Sequence, residues 1–243
     1  MGEWVEVQGP DGAFKAYVAR PTGTPKGAVV AIQEIFGVNA VMRGKADWLA
    51  REGFLAVSPD LFWRIKPGID LTDQSEGEWK QALDYMNQLD KSASVKDVQA
   101  ALTWAREQLS FDARPVVPGK KLLPPKAGVM GYCMGGYIAF LAACRTDTDA
   151  TVCYHGGGIH TALGEAGGIK KPVMLHNPMK DGFIPVEALN TIRETLASNP
   201  LVTVCEYAEQ DHAFTREGGT HYDEAAKQLA DGRTIAFLNK AFA

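Results

Sequence analysis

The chain has 243 residues, of which 46% are hydrophobic and 22% are charged, and its formal net charge is −4 at pH 7. This composition is typical of a globular protein and excludes a disordered chain, a coiled coil and a collagen-like repeat. A slightly acidic chain has no overall attraction for nucleic acid or for an anionic membrane, so we expect neither as a partner.

The chain begins with a predicted β-hairpin. Strand-like runs at residues 5–7 and 14–19 flank residues 9–12, whose Gly-Pro-Asp-Gly sequence is typical of a turn. Residues 27–32 are apolar without alternation, which is the pattern of a strand buried on both faces. The sequence therefore predicts an antiparallel pair of strands followed by an interior strand of a sheet.

Helical and strand-like segments alternate through the rest of the chain. The predicted helices cover residues 41–51, 76–89, 94–109, 136–144, 187–196 and 223–242. The predicted strands cover residues 54–58, 127–131, 150–154, 172–176 and 201–207. This order predicts an α/β fold with a mostly parallel central sheet and helices on both faces. Ligand sites in such sheets lie beyond the carboxyl ends of the strands.

The sequence shows no repeat and no targeting segment. Its loops richest in proline and glycine, 20–26 and 115–126, are short, so we expect a single domain over residues 1–243. The N-terminus has no basic segment followed by an apolar one, and no apolar run reaches about 18 residues, so neither a signal peptide nor a membrane span is expected. The cysteines form no Cys-x-x-Cys pair, which indicates free thiols in a reducing cytoplasm: Cys133, Cys144, Cys153 and Cys205.

The strongest chemical signal is the sequence Gly-Tyr-Cys-Met-Gly-Gly at residues 131–136. It lies between an apolar strand and an apolar helix, so it matches the nucleophile elbow of hydrolases with cysteine in place of serine. The strained turn would hold Cys133 above the sheet, where the helix N-terminus stabilises a thiolate and then an oxyanion. The alternative is a buried cysteine beside a glycine-rich turn, and the strand–helix context favours the nucleophile.

A cysteine nucleophile needs a base and a residue that orients the base. In hydrolases with this elbow, the acid and then the histidine follow the nucleophile along the chain. Asp181 follows the predicted strand 172–176, and His212 follows the strand 201–207. Taken singly, Asp181 could be a turn residue and His212 a surface histidine. Together, three suitable residue types after three late strands indicate a Cys-His-Asp arrangement.

Other polar residues are weaker candidates. His155 precedes three glycines but lies after the elbow, whereas an oxyanion loop of the His-Gly-Gly-Gly type belongs before it, so we interpret this segment as a turn. His155 and His160 have no metal-ligand spacing, and we expect neither a metal nor a cofactor. His176 ends a strand and is expected in the core, and Asp211 is expected to point away from its neighbour His212.

The chain resembles the dienelactone hydrolase family of the α/β-hydrolase superfamily over nearly its whole length. The resemblance rests on Gln-Glu-Ile-Phe-Gly-Val-Asn at 33–39, Ser-Pro-Asp-Leu-Phe at 58–62 and the elbow at 131–136. It continues with Asp181 ahead of Pro185, and with His-Ala-Phe at 212–214. By itself, Glu34 after a buried strand would be taken as the partner of a nearby cation. Together with a cysteine elbow, it distinguishes this family from ordinary serine esterases.

The resemblance implies hydrolysis of an ester or lactone bond in a small substrate, typically one that carries a carboxylate. It implies Cys133 as nucleophile, His212 as base and Asp181 as the residue that orients the base. It also implies an oxyanion hole formed by the backbone N–H groups of Ile35 and Met134. We expect a small-molecule substrate as partner and a monomer rather than an oligomer.

The resemblance also implies how a carboxylate-bearing substrate is recognised. Arg216 corresponds to the residue that binds the substrate carboxylate, and Glu34 to its resting partner, which is then released and takes the thiol proton. Residues 75–81 depart from the family pattern because they contain no arginine. Lys80 is the candidate replacement, although lysine offers a point charge rather than a fork. Dienelactone itself is therefore an open question as substrate.

Three other kinds of protein are alternatives. A cysteine-dependent glutaminase also uses a Gly-x-Cys-x-Gly turn, but it requires a His-x-Glu pair, and residue 214 is Phe. The other two are a general carboxylesterase and a non-catalytic binding protein with the same fold. A binding protein would be expected to have lost one of the three catalytic residues, and all three are present.

Overall fold

A computed structural model describes residues 2–111 and 125–243 of the chain. Within these residues, eight strands form one sheet in the order β1-β2-β4-β3-β5-β6-β7-β8. The strands are β1 (Glu3–Gly9), β2 (Gly12–Ala19), β3 (Ala28–Ile32), β4 (Leu55–Pro59), β5 (Ala127–Tyr132), β6 (Thr151–Tyr154), β7 (Val173–Pro178) and β8 (Val202–Tyr207). Strands β1 and β2 pair antiparallel, β2 pairs antiparallel with β4, and the other pairs are parallel.

Six helices and one 3₁₀ segment accompany this sheet in the described residues. The helices are α1 (Ala40–Arg51), α2 (Glu76–Gln88), α3 (Lys91–Phe111), α4 (Met134–Arg145), α5 (Val186–Leu196) and α6 (Glu224–Phe242), and the 3₁₀ segment is Ile159–Gly168. Asn39 caps α1 by accepting the N–H of Met42 at 3.1 Å, so this helix begins directly behind the loop that follows β3.

The core has two parts, one on each face of the sheet. Strand β3 shows the division: Val30 and Ile32 pack with residues of α3 and α4, whereas Val29 and Ala31 pack with residues of α1 and α6. Because successive side chains of a strand point to opposite faces, a strand covered on both sides must be apolar throughout. This requirement explains the uninterrupted apolar run in the sequence.

The predicted architecture is confirmed, and the differences lie at the ends of elements. The hairpin is longer than predicted, because pairing continues from Glu3 opposite Val18 to Gly9 opposite Gly12. Helix α4 begins at Met134, two residues before its predicted start, since glycine at the next two positions does not prevent helix formation in the elbow. The 3₁₀ segment was not predicted. Residues 115–124 of the second proline-rich loop lie outside the described residues.

No helix in the described parts of the chain is both long and apolar enough to cross a membrane.

Candidate active site

The candidate site lies at the carboxyl edge of the parallel strands. Cys133 directly follows β5, Asp181 follows β7, and His212 follows β8. Glu34 and Ile35 follow β3, which is the neighbour of β5 in the sheet. Parallel strands end at the same edge, so residues from distant parts of the sequence meet there.

The backbone holds Cys133 in a strained conformation at the start of α4. Its φ is 54° and its ψ is −119°, a combination that L residues rarely adopt. The turn is possible because glycines let main chains approach closely. A Cβ at Gly131 would lie 2.0 Å from the carbonyl oxygen of Gly135, and a Cβ at Gly135 would lie 2.5 Å from that of Gln33. The elbow therefore packs directly on the end of β3.

We expect Gly135→Ala to lower both stability and activity. Backbone oxygens cannot swing away as a flexible side chain can, so the new methyl group would push the elbow and the end of β3 apart. The free energy of unfolding should fall by about 1–3 kcal/mol, the usual cost of overpacking, as measured by chemical denaturation. Gly232→Ala in α6 is the matched control, since no atom of the described residues outside its own helix turn lies within 4 Å of the position that the new Cβ would take. Equal stability of the two variants would contradict the close packing of the elbow.

His212 is paired with Asp181. Its Nδ1 lies 2.8 Å from Oδ2 and 3.0 Å from Oδ1 of Asp181. Asp181 Oδ1 also accepts the backbone N–H groups of Phe183 and Ile184 at 2.8 and 3.0 Å, so the carboxylate is fixed by its own loop. With Nδ1 engaged, Nε2 is the ring nitrogen left to face Cys133.

The environment of His212 favours its protonated form. Burial opposes a charge on the ring, but the negative charge of a Cys133 thiolate and the hydrogen bond to Asp181 outweigh it, and they raise the pKa of His212 to about 10. A Cys133 thiolate, once formed, and the His212 imidazolium would therefore stabilise each other as an ion pair. Such a pair supplies both a nucleophile and a proton donor.

The two residues expected to form an oxyanion hole, Met134 and Ile35, have unpaired backbone N–H groups within the described residues. Met134 is the first residue of α4, so its N–H has no acceptor within the helix. In the part of the chain that the structure describes, no group accepts a hydrogen bond from the N–H of Met134 or of Ile35. Both residues line the same cavity as Cys133 and His212.

Arg216 lies in a buried cluster of charges beside this cavity. Its Nε and Nη2 donate to the two carboxylate oxygens of Glu34 at 2.9 and 2.8 Å, and its Nη1 donates to Asp73 at 2.7 Å. Burial disfavours the charged forms of both Arg216 and Asp73. The carboxylates of Glu34 and Asp73 outweigh burial and raise the pKa of Arg216. The hydrogen bond from Arg216 outweighs burial at Asp73 and lowers the pKa of that carboxyl group. The guanidinium carbon also lies 5.2 Å from the centre of the Phe36 ring.

The cavity has a volume of about 500 Å³ and is largely apolar. Phe183 covers His212, with ring centres 4.9 Å apart, and stacks on Trp79 with ring centres 6.1 Å apart. Arg216 lies in its wall, and Lys91 is a second cation among the lining residues. A cavity of this size accommodates a small organic molecule with an apolar part.

The structure does not bring Lys80 to the cavity. Trp79, Leu83 and Met86 of α2 line it, which are residues i, i+4 and i+7 of one helix face. Lys80 is exposed, and it lies about 100° around the helix from Trp79 because a turn contains about 3.6 residues. The lysine that lines the cavity together with Arg216 is Lys91, at the start of α3.

Sequence reasoning also missed two neighbours of the site. The sequence pattern does not indicate a role for Asp73, because its contact with Arg216 joins residues 143 positions apart. The sequence indicates only a turn at His155, yet the Nδ1 of this residue accepts the backbone N–H of Cys133 at 3.1 Å. His176 is a hydrogen-bonded core residue as expected, with its ring nitrogens 2.7 Å from the Tyr207 hydroxyl and 3.0 Å from that of Thr234.

The mostly parallel eight-stranded sheet with helices on both faces has the α/β-hydrolase fold. The model of the dienelactone hydrolase family matches residues 14–242, and the chain belongs to that family. It is therefore a hydrolase.

Individual relatives cover almost the whole chain. A protein of Azospirillum brasilense is 41% identical over 96% of this chain and 95% of its own length. The carboxymethylenebutenolidase of Pseudomonas putida is 37% identical over 98% of this chain and 96% of its own length. A dienelactone hydrolase-like promiscuous phosphotriesterase from metagenomic libraries has a similar structure, with a TM-score of 0.76 and 21% identity over 100% of this chain and 99% of that chain.

Proposed function

We propose that this hydrolase cleaves the ester or lactone bond of a small molecule through a thioester on Cys133. The observation that carries the proposal is the position of His212, which is hydrogen-bonded to Asp181 and lines the same cavity as Cys133. The relative in Pseudomonas putida, which is named as a carboxymethylenebutenolidase, supports the same reaction class.

The first half of the reaction forms the thioester. The Cys133 thiolate attacks the substrate carbonyl carbon, and the carbonyl electron pair moves onto oxygen. The backbone N–H groups of Ile35 and Met134 bind this oxyanion, which they stabilise more strongly than the ground-state carbonyl. When the oxyanion collapses, the C–O bond breaks, and the His212 imidazolium protonates the departing alkoxide.

The second half hydrolyses the thioester. Neutral His212 accepts a proton from water, and the resulting hydroxide adds to the thioester carbonyl in the same oxyanion site. Collapse of this intermediate breaks the C–S bond, which releases the carboxylic acid and restores the thiolate beside His212. Asp181 holds the ring in one orientation through both halves.

Glu34 and Arg216 form the proposed link between substrate recognition and activation. In the resting state, Arg216 binds both oxygens of Glu34. A substrate carboxylate can replace Glu34 on the guanidinium, because it offers the same pair of acceptors. The released Glu34 would then take the proton of the neutral Cys133 thiol, which resists oxidation until that point. When the product leaves, Glu34 would return this proton to the thiolate and pair with Arg216 again.

The function can be tested directly on the purified protein. We expect hydrolysis of small lactones and aryl esters, and rapid mixing with an aryl ester should add the mass of one acyl group to the protein. Peptide mapping should place this group on Cys133. Hydrolysis without any acyl adduct on Cys133, under conditions that slow the second half of the reaction, would contradict the thioester mechanism.

Arg216 should determine the response to a carboxylate on the substrate. We expect Arg216→Ala to lower kcat/KM for a carboxylate-bearing lactone by about 1.5–3 kcal/mol, the scale of a hydrogen bond to a charged group. The methyl ester of the same substrate should lose much less. The kcat/KM of Arg216→Lys for the carboxylate-bearing lactone should lie between those of the wild type and Arg216→Ala, because lysine keeps the charge but not the two-pronged guanidinium. The steady-state kinetics of this matched pair of substrates measure the effect.

The same measurement separates a carboxylate-specific lactonase from a general carboxylesterase. The general activity is the second candidate because the cavity is largely apolar and Arg216 already has two carboxylate partners. Equal losses for both substrates would favour it. Lys80→Ala is the matched control, and we expect no change with either substrate because Lys80 is exposed and lies outside the cavity lining.

A further inference from the structure

The loop after β6 brings a buried histidine against the nucleophile. The N–H of Cys133 points at two acceptors at once, the carbonyl oxygen of Tyr154 and the Nδ1 of His155, each at 3.1 Å. The side chain of His155 is therefore bonded to the backbone of the residue proposed to attack the substrate. None of the reaction steps proposed above uses this contact.

His155 is itself tightly held. It is only 1% exposed, its φ is 38°, and its own N–H donates to the carbonyl oxygen of His176 at 2.9 Å. The elbow packs closely on this loop, since a Cβ at Gly136 would lie 2.5 Å from the carbonyl oxygen of Tyr154. The ring therefore has little freedom to leave the Cys133 N–H.

The contact determines the tautomer of the ring. Because Nδ1 accepts a hydrogen bond, it carries no proton, and the proton of the neutral ring lies on Nε2. A protonated ring would turn Nδ1 into a donor facing another donor. Burial and the charges of His212, Arg216 and Lys45 also keep the ring neutral by holding the pKa of His155 well below its usual range.

The ring of His155 also packs against the ring of His212. The ring centres of His155 and His212 are 4.5 Å apart, with 60° between their planes. The Nε2 of His155 is buried and has no hydrogen-bond partner within residues 2–111 and 125–243. A buried donor without a partner lowers stability. A phenylalanine would fill similar space without that cost, so packing alone does not account for a histidine here.

We propose that His155 is a positioning residue of the nucleophile: its neutral ring accepts the Cys133 N–H, stabilises the strained elbow and aligns the sulfur with His212. The inference rests on Cys133 as the nucleophile of the proposed function. It predicts that the reactivity of Cys133 depends on a hydrogen-bond acceptor at the Nδ1 position, rather than on the size or aromaticity of the side chain.

Three variants separate the effect of the acceptor from those of size and aromaticity: His155→Asn, His155→Gln and His155→Phe. In His155→Asn, the amide oxygen can occupy the position of Nδ1, whereas in His155→Gln the longer side chain carries its oxygen towards the position of Nε2. We expect His155→Phe and His155→Gln to slow thioester formation on the order of tenfold, the worth of one hydrogen bond, and His155→Asn to retain most of the rate. The exposed His160→Asn is the control and should react at the wild-type rate.

Three measurements make the test decisive. Stopped-flow acylation by an aryl ester and the alkylation rate of Cys133 by iodoacetamide report on the nucleophile, and thermal unfolding reports on the fold. We expect His155→Phe to be at least as stable as the wild type while its Cys133 reacts more slowly. Wild-type rates in His155→Phe, or equal rates in the Asn and Gln variants, would overturn the proposal. If esters do not acylate the wild type but iodoacetamide still labels Cys133, the proposed function fails, and alkylation of the variants still tests His155.

The tautomer can be measured without any substitution. Nitrogen NMR of the histidine rings in the wild-type protein should show His155 as a neutral ring with an unprotonated Nδ1 and a protonated Nε2. A ring protonated on Nδ1 would exclude the hydrogen bond from Cys133 and with it the proposal. This measurement remains available even if the His155 variants fail to fold.

Discussion

Replacing Cys133 with alanine should abolish ester hydrolysis, with kcat lower by about 10⁴- to 10⁶-fold. In the proposed mechanism the sulfur forms the thioester, and His212, Asp181 and the two free N–H groups cannot supply a covalent intermediate without it. The fold should be retained, because the change removes one atom from a half-buried side chain. Steady-state kinetics with an aryl ester and the thermal unfolding temperature provide the two measurements.

Cys144→Ala is the matched control for this variant. Cys144 is also half-buried, and it lies in α4 outside the residues that line the cavity. Burial raises the pKa of the Cys144 thiol to about 11, so at neutral pH it remains protonated and reacts poorly with iodoacetamide. With a substrate analogue bound, alkylation and peptide mapping should find Cys133 modified and activity lost. Full activity after complete alkylation of Cys133 would exclude it as the nucleophile.

Replacing Asp181 with asparagine should lower kcat by about 10⁴-fold while the protein stays folded. The asparagine oxygen can still accept the N–H groups of Phe183 and Ile184, so the loop keeps its hydrogen bonds. The ring of His212 loses a carboxylate that fixes its tautomer and stabilises its charged form. The pKa of His212 should therefore fall, so the imidazolium that protonates the leaving group becomes harder to form.

Asp211→Asn is the control for Asp181→Asn. Asp211 is next to His212 in the chain, but its Oδ1 accepts the backbone N–H groups of His212 and Gly182 rather than bonding to the ring. We expect a far smaller loss of kcat than in Asp181→Asn. If Asp181→Asn kept a near-wild-type kcat, Asp181 would be a turn residue and another carboxylate would serve His212. A large loss in Asp211→Asn alone would identify that carboxylate.

The sequence by itself determined the architecture and the candidates at the ends of strands. An apolar run such as 27–32 has the pattern expected of a strand covered on both faces, and a Gly-x-Cys-x-Gly turn between a strand and a helix places its cysteine at the carboxyl edge. Asp181 and His212 follow later strands of the same parallel sheet. Because such strands end at one edge, local patterns were sufficient to predict that these residues meet.

Only the tertiary structure decided which side chains surround that edge. The order of residues does not reveal that Asp73 binds Arg216, that His155 accepts the Cys133 N–H, or that α2 turns Lys80 to solvent. Each depends on the path of a loop or the rotation of a helix about its axis. Loop paths and helix rotations are set by the packing of the whole core. A rotation of about 100° is enough to replace one residue of a helix by the next at a given position. A periodic pattern therefore predicts that a helix exists, while its contacts with the rest of the fold decide which residue reaches the cavity.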